Sequence, residues 1–148
     1  MVRVCVGALA IALLSGSAVA ATTALSPADE AAVFKAAGFK QAHGQWIRCE
    51  DDVTDSKMTG FIELEDLNGD GAPEAWVRES STFCYGDTAE AFVLLTRKAG
   101  VWTVLLDEVG MAAPLDTRHG GWKDVEVGGP GFGPMPVYRF NGTKYVSR

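Results

Sequence analysis

The sequence predicts a mainly β fold with one short N-terminal α-helix, its strands forming an antiparallel meander that is either propeller-blade-like or a small sandwich. Short apolar or alternating runs recur after Gly44, and turn-forming residues separate them. Seventeen glycines and six prolines favour a turn-rich chain over a helical bundle. An apolar fraction of 47% and a charged fraction of 22% are those of an ordinary folded domain.

Residues 1–20 are expected to be a secretory signal peptide rather than part of the fold. Arg3 precedes the apolar run Val4–Leu14, and positions 18–20 read Ala-Val-Ala, a small-residue cleavage site. The run is too short for a membrane anchor, because a spanning helix needs about 20 apolar residues. We therefore expect a periplasmic or secreted product, cleaved near Ala20 and without a membrane-inserted segment, in which residues 21–148 form a single β-rich domain.

The predicted helix begins after Ser26. Ser26 can cap the first turn, and Pro27 suits the first helical position. Asp29 and Glu30 favour the positive end of the helix dipole, and Gly38 ends the helix. A helix of about eleven residues is unstable in isolation, so it must dock on the sheet. The residues expected to dock are Val33, Phe34, Ala37 and Phe39.

The candidate strands are Gln45–Cys49, Phe61–Glu65, Glu74–Glu79, Ala89–Arg97, Val101–Asp107, Asp124–Val127, Val137–Phe140 and Lys144–Val146. The runs 91–95 and 101–106 are the most continuously apolar, and we expect them at the centre of the sheet, joined by a turn at 98–100. The Asn-Gly pair at 141–142, between aromatic runs, predicts a β-hairpin. Residues 110–123 are expected to be irregular.

Two cysteines follow the predicted signal peptide, Cys49 and Cys84. In an oxidising compartment such a pair is expected to form a disulfide. The bridge would close a loop of about 35 residues and stabilise the fold by roughly 3–4 kcal/mol. A metal-binding or catalytic thiol is the alternative, but neither residue has another Cys or a His at ligand spacing.

The main chemical feature is the segment 66–74, which reads Asp-Leu-Asn-Gly-Asp-Gly-Ala-Pro-Glu. Oxygen-bearing side chains stand at its positions 1, 3, 5 and 9, and Ca²⁺ binds six to eight oxygen atoms. The predicted ligands are the side chains of Asp66, Asn68, Asp70 and Glu74 and the backbone carbonyl of Ala72. A structural role is favoured because one loop supplies every ligand. The alternative is an Asn/Asp/Gly turn that binds no ion.

The same segment departs from an EF-hand. Val77 stands where the bidentate glutamate would be, and the flanking residues predict strands rather than helices. The loop resembles the D-x-[DN]-x-D-G-x-x-[DE] loops of FG-GAP/VCBS-type β-propeller blades, including those of integrins. This resemblance implies a Ca²⁺ loop between two strands.

A wider resemblance rests on several phrases spread along the chain. They are Ala36-Ala37-Gly38-Phe39, Trp46–Cys49, Asp66–Glu74, Ser81–Gly86, Gly120-Gly121-Trp122, Gly128–Gly131 and the Asn141-Gly142 turn before Tyr145. Together they resemble a family of small secreted or periplasmic proteobacterial proteins, which implies a fold and a compartment rather than an activity. A more distant resemblance is to calcium-binding periplasmic inhibitors of lysozyme-like effectors, which are exported, β-rich and non-enzymatic.

The net charge of the chain and the motifs it lacks disfavour several classes of function. A net charge of −6 and a pI near 4.8 disfavour nucleic-acid binding, since phosphate binding needs a basic face. No nucleophile elbow, zinc helix or phosphate loop is present, and His43 and His119 are isolated in expected loops. The pairs Glu79/Glu90 and Asp51/Asp52 are the remaining candidates for an acid pair.

We therefore predict no catalytic residues and an exported, non-enzymatic domain with a structural Ca²⁺ loop that acts by protein binding. An alternative is a periplasmic inhibitor or immunity protein against a lysozyme-like cell-wall hydrolase, since an acidic domain suits a basic target. A third hypothesis is a hydrolase or carbohydrate-binding domain. The four tryptophans are expected in the core rather than in a sugar-binding row. The sequence does not predict an oligomeric state.

Overall fold

The computed structural model describes residues 24–52, 58–129, 131 and 133–147. The expected signal peptide lies outside the described residues. Within the described ranges, no helix combines the length and the apolar character needed to cross a membrane.

The described chain forms two short helices, one 3₁₀ turn and ten strands. The helices are α1 (Pro27–Ala36) and α2 (Thr82–Tyr85), and the 3₁₀ turn is Gly86–Thr88. The strands are β1 (Lys40–Ala42), β2 (Gln45–Ile47), β3 (Met58–Glu65), β4 (Glu74–Ser80), β5 (Glu90–Lys98), β6 (Val101–Val109), β7 (Met111–His119), β8 (Trp122–Gly128), β9 (Val137–Phe140) and β10 (Tyr145–Ser147).

Successive strands pair in two four-stranded antiparallel meanders. The first sheet has the order β3-β4-β5-β6 and the second the order β10-β9-β8-β7, while β1 and β2 form a separate ribbon. This confirms the predicted mainly β meander. The predicted turns are also confirmed: Ala99 and Gly100 join β5 to β6 with positive φ (49° and 82°), and residues 141–144 join β9 to β10.

The first sheet is buried on both faces, which makes the fold three-layered. Alternating residues of β4 point in opposite directions, so Ala75 and Val77 face α1 whereas Trp76 faces the second sheet. The core under α1 consists of Val33, Phe34, Ala37, Phe39, Ala75, Val77, Val93, Leu95 and Trp102. The core between the sheets consists of Leu67, Trp76, Phe92, Leu94, Leu105, Leu106, Val125, Val127 and Tyr145. The arrangement is therefore a sandwich with a helix on its outer face.

Helix α1 forms as its sequence predicts. The Ser26 side chain caps the helix by accepting a hydrogen bond from the Asp29 N–H at 3.1 Å, and Pro27 occupies the first turn. The four residues expected to dock all lie in the core, with Val33 fully buried and Phe34 only 2% exposed. The helix therefore owes its stability to packing on the sheet.

Two expectations about strands are wrong. Residues 110–123 are not irregular, because Met111–His119 form β7 and pair with β8. This edge strand has no buried residue. Its register shifts between Pro114 and Arg118, and proline is tolerated there because an edge needs fewer ladder bonds. The run 101–106 lies in β6 at the sheet edge rather than at the centre, which β4 and β5 occupy.

A second short helix, which the sequence does not predict, lies between β4 and β5. Residues 82–88 form α2 and the 3₁₀ turn between β4 and β5. The Ser81 hydroxyl caps α2 by accepting a hydrogen bond from the Cys84 N–H at 3.1 Å. The helical turns lengthen the connection from β4 to β5 and carry Cys84 towards Cys49.

The inter-sheet core is testable by truncating one aromatic side chain. Phe92 is 1% exposed and contacts Trp76, at 5.6 Å between ring centroids. We expect Phe92→Ala to lower the free energy of unfolding by about 3–5 kcal/mol, measured by urea denaturation, because it leaves a cavity between the sheets. The control is Phe83→Ala, whose side chain is 67% exposed and whose loss should change little. Equal effects of the two variants would contradict the assigned core.

Candidate functional site

The loop between β3 and β4 is anchored to the second sheet by Leu67. The Leu67 side chain is fully buried in the inter-sheet core. Its carbonyl oxygen accepts hydrogen bonds from the Lys123 N–H at 2.9 Å and from Arg118 Nη1 at 3.0 Å. The start of the loop is thus attached to β7 and β8, although its own strands belong to the first sheet.

Asp66 organises the exposed part of this loop. Its Oδ1 accepts a hydrogen bond from the Gly69 N–H at 2.7 Å, and its Oδ2 accepts one from the Gly71 N–H at 2.9 Å. Both glycines have positive φ, 79° and 84°, a conformation that other residues adopt only at a cost. The hydrogen bonds, led by that from Gly71, hold the pKa of Asp66 below its usual value against the opposing effect of desolvation. Asp66 is therefore a carboxylate around which the chain turns.

Asn68 and Asp70 continue the same turn. Asn68 Oδ1 accepts a hydrogen bond from the Asp70 N–H at 2.8 Å, and Asp70 Oδ1 accepts one from the Ala72 N–H at 2.7 Å. The Asn68 amide nitrogen donates to Asp70 Oδ2 at 3.0 Å. Each side chain binds the backbone two residues on, which is the geometry of an Asx turn.

Glu74 points into the protein rather than out of the loop. It is 2% exposed and accepts hydrogen bonds from the Leu67 N–H at 2.9 Å and from the Thr96 hydroxyl at 3.0 Å. Burial, above all, raises its pKa to about 7, and the charges of Asp70 and Asp66 raise it too, although both hydrogen bonds favour the ionised form. The loop therefore has a carboxylate on each side of its backbone.

The predicted metal ligands thus divide into two groups. Asp66, Asn68, Asp70 and Ala72 share one solvent-facing turn, whereas the Glu74 carboxylate lies on the inner side and binds Leu67 and Thr96. Among the described residues, no three His, Cys, Asp or Glu side chains are arranged as a ready-made metal site.

The disulfide pair lies on the other side of the first sheet. Cys49 and Cys84 are at disulfide distance, with 6.1 Å between their Cα atoms, and join the segment after β2 to α2. Cys49 is 4% exposed. The pair lies beside a buried carboxylate, which the sequence suggested only as a member of a candidate acid pair.

That carboxylate belongs to Glu79, which is 2% exposed. It accepts hydrogen bonds from the backbone N–H groups of Arg48, at 2.8 Å, and of Cys49, at 3.0 Å, and from the Tyr85 hydroxyl. Burial and the adjacent Glu79 raise the pKa of Tyr85. The strand pattern contains a hint of this network, since Glu79 lies on the same face of β4 as Ala75 and Val77, the face towards α1.

Neither candidate acid pair is assembled. Ser80 is the register partner of Glu90, so Glu90 lies on the opposite face of the sheet from Glu79 and pairs with Arg78 at 2.8 Å. Asp52 is buried and accepts a hydrogen bond from the Ser81 hydroxyl at 2.6 Å, whereas Asp51 is exposed. Glu79, Glu90 and Asp52 each have a separate structural partner.

The expectation that His119 is isolated in a loop is wrong. It ends β7, and its Nδ1 lies 2.7 Å from Oδ1 of Asp124, a residue 1% exposed. Asp124 also accepts a hydrogen bond from the Thr117 hydroxyl at 2.7 Å. Burial alone would raise the pKa of Asp124, but the hydrogen bonds from Thr117 and His119 and the nearby Arg139 lower it below its usual value. His43 is exposed in the β1–β2 turn.

The tryptophans occupy the core or its margin, as predicted. Trp76 and Trp102 are buried, at 2% and 9% exposure, and Trp46 and Trp122 are half-buried. Trp122 stacks on Phe140 with 4.6 Å between ring centroids. The indoles therefore do not form an exposed row.

The Asp124 cluster predicts a pH dependence of stability. Because the folded-state pKa is lowered, the ionised carboxylate stabilises the fold above its unfolded pKa of about 3.9, and this contribution is lost as pH falls through the folded-state value. We expect Asp124→Asn to be less stable than the parent at pH 7 and to lose less stability between pH 5 and pH 2, as measured by urea unfolding at each pH. The matched control is the exposed Asp116→Asn, which should follow the parent. Parallel curves for parent and Asp124→Asn would contradict the assignment.

A scan against protein-family models, a search of curated proteins and a search of solved structures each found no match. The function must therefore be inferred from the residues and their geometry.

Proposed function

We propose that the protein is an exported, non-enzymatic β-sandwich domain that holds a structural Ca²⁺ ion in the β3–β4 loop and acts by binding another protein. The observation that carries the metal proposal is the turn in which side-chain oxygens of Asp66, Asn68 and Asp70 accept hydrogen bonds from the backbone N–H groups of residues 69–72. Each carboxylate oxygen has two lone-pair directions, so a hydrogen bond from an N–H group leaves one for a cation.

In this proposal the ion lies against the exposed turn. Asp66, Asn68, Asp70 and the Ala72 carbonyl are its ligands and water completes the shell, whereas Glu74, predicted as a ligand, stays bound to Leu67 and Thr96 on the inner side of the loop. The negative charge of the loop supports cation binding. The charges of Asp70 and Asp66 raise the pKa of Glu74, and a divalent cation would offset the repulsion among these carboxylates. The ion would stabilise the loop at the point where Leu67 joins the two sheets.

Binding of Ca²⁺ should therefore raise the free energy of unfolding of the protein. A ligand that binds only the folded state at about one hundred times its Kd adds about 2.7 kcal/mol to the free energy of unfolding. We expect the melting temperature in millimolar Ca²⁺ to exceed that in EDTA by several degrees, measured by circular dichroism, with a smaller change in Mg²⁺.

Two variants make this measurement specific. Asp70→Ala should abolish the Ca²⁺-dependent difference, whereas Asp87→Ala, which removes an exposed aspartate from the 3₁₀ turn, should retain it. Melting each variant in EDTA separates any loss of loop stability from loss of the ion. An unchanged melting temperature of the parent in millimolar Ca²⁺ would contradict the metal proposal.

Inhibition of a basic, lysozyme-like cell-wall hydrolase is a second candidate function. The net charge of −6 favours it, because opposite charge accelerates association with a basic enzyme. Binding to muramidases that weakens as salt is raised would support this candidate, and failure to bind or inhibit a panel of them at low salt would exclude it.

A further inference from the structure

A groove with both apolar and polar lining runs along the edge of the first sheet that β3 forms. It lies between the start of α1, the β1–β2 ribbon and β3, and has a volume of about 550 Å³. Phe34 and Trp46 stack at its base, with 5.0 Å between ring centroids and 11° between ring planes. Further apolar side chains in its lining are Leu25, Ile62 and Leu64, all half-buried. The groove is therefore lined by side chains that belong to the margin of the core under α1.

In the described ranges, strand β3 is paired on one side only, although β2 packs close to it. Strand β3 ends the sheet order, and in the described part of the chain its ladder hydrogen bonds go to β4 alone. The groove follows β3 from Thr59 to Leu64, a length of about 17 Å at 3.4 Å per residue. An exposed edge of this kind can accept another strand.

The backbone of β3 sits directly against the aromatic base of the groove. At Gly60 an added Cβ would lie 2.5 Å from a Phe39 ring carbon and 2.9 Å from a Phe34 ring carbon. Phe61, in the lining, is 37% exposed, and Met58, just beyond the groove, is 55% exposed, which extends the apolar surface along the same strand. A strand added to this edge would therefore find both backbone partners and apolar contacts.

The charge of the groove indicates what kind of segment fits. Among the described residues that line it, Glu30 is the charged one. Glu30 is exposed in the first turn of α1. A Lys or Arg beside an apolar segment would complement it, whereas a second copy of this acidic chain would bring like charge. A compact apolar molecule would leave the β3 edge unpaired.

We propose that this groove binds an extended, apolar and basic peptide segment of a partner protein by adding it as a strand to β3. Alternate side chains of the peptide would enter the groove, and a Lys or Arg would face Glu30. This inference deepens the protein-binding part of the proposed function and is independent of the Ca²⁺ part, so both are tested in Ca²⁺ and in EDTA.

The test starts from a phage-displayed library of random ten-residue peptides selected on the purified protein. We expect enrichment of sequences that alternate apolar residues and carry Lys or Arg. The most enriched peptide, labelled with fluorescein, should then bind with a Kd measurable by fluorescence anisotropy. Glu30→Lys should weaken this binding at least tenfold, and replacing the peptide's Lys or Arg by Glu should restore binding to that variant.

Two controls separate strand addition from general attraction between opposite charges. Asp87→Lys makes the same charge change outside the groove and should leave the Kd unchanged. Methylating the peptide's backbone nitrogens one at a time should abolish binding at alternate positions, because only alternate N–H groups face the neighbouring strand.

Three results would overturn the proposal. They are a library without enriched peptides, equal losses in Glu30→Lys and Asp87→Lys, and binding that tolerates methylation at every position. A missing Ca²⁺ effect on melting would remove the metal proposal while leaving these outcomes unchanged.

Discussion

The two sheets of this fold depend on one buried junction between Leu67 and Glu74. The Leu67 N–H donates to the Glu74 carboxylate, and the Leu67 carbonyl accepts from Lys123 in the second sheet. Burying a carboxylate is costly unless hydrogen bonds satisfy it, and Thr96 supplies a further donor. Because this junction joins the loop to both sheets, it holds the exposed acidic turn on a rigid base while the inter-sheet core closes beneath it.

The opposite side of the first sheet repeats this arrangement with another acid. Glu79 accepts from the backbone of Arg48 and Cys49, so a carboxylate fixes the segment that follows the β1–β2 ribbon. The disulfide pair joins the same segment to α2. The ribbon in turn forms one wall of the groove along β3. Acidic side chains buried in the two networks thus position the two surfaces for which functions are proposed, the acidic turn and the groove.

Local features of this fold can be predicted from the sequence, and contacts between distant segments cannot. The cap at Ser26, the docking face of α1 and the turns at 99–100 and 141–144 follow from short-range propensities. Strand β7 escapes prediction because an edge strand with a register shift at Pro114 shows no clean alternation. The acidic turn is evident from its spacing, but the inward direction of Glu74 depends on Thr96, 22 residues away. The groove likewise combines three separate segments.

The most direct test of the junction is native-state hydrogen exchange of the Leu67 amide, followed by NMR. If the Leu67 N–H is bound to buried Glu74, it should exchange as slowly as core amides of β5, through global unfolding. In Glu74→Gln, a weaker acceptor, we expect it to exchange faster by local opening while the β5 amides stay slow. Exchange of the Leu67 amide in the parent protein at the rate of an exposed loop would contradict the central claim.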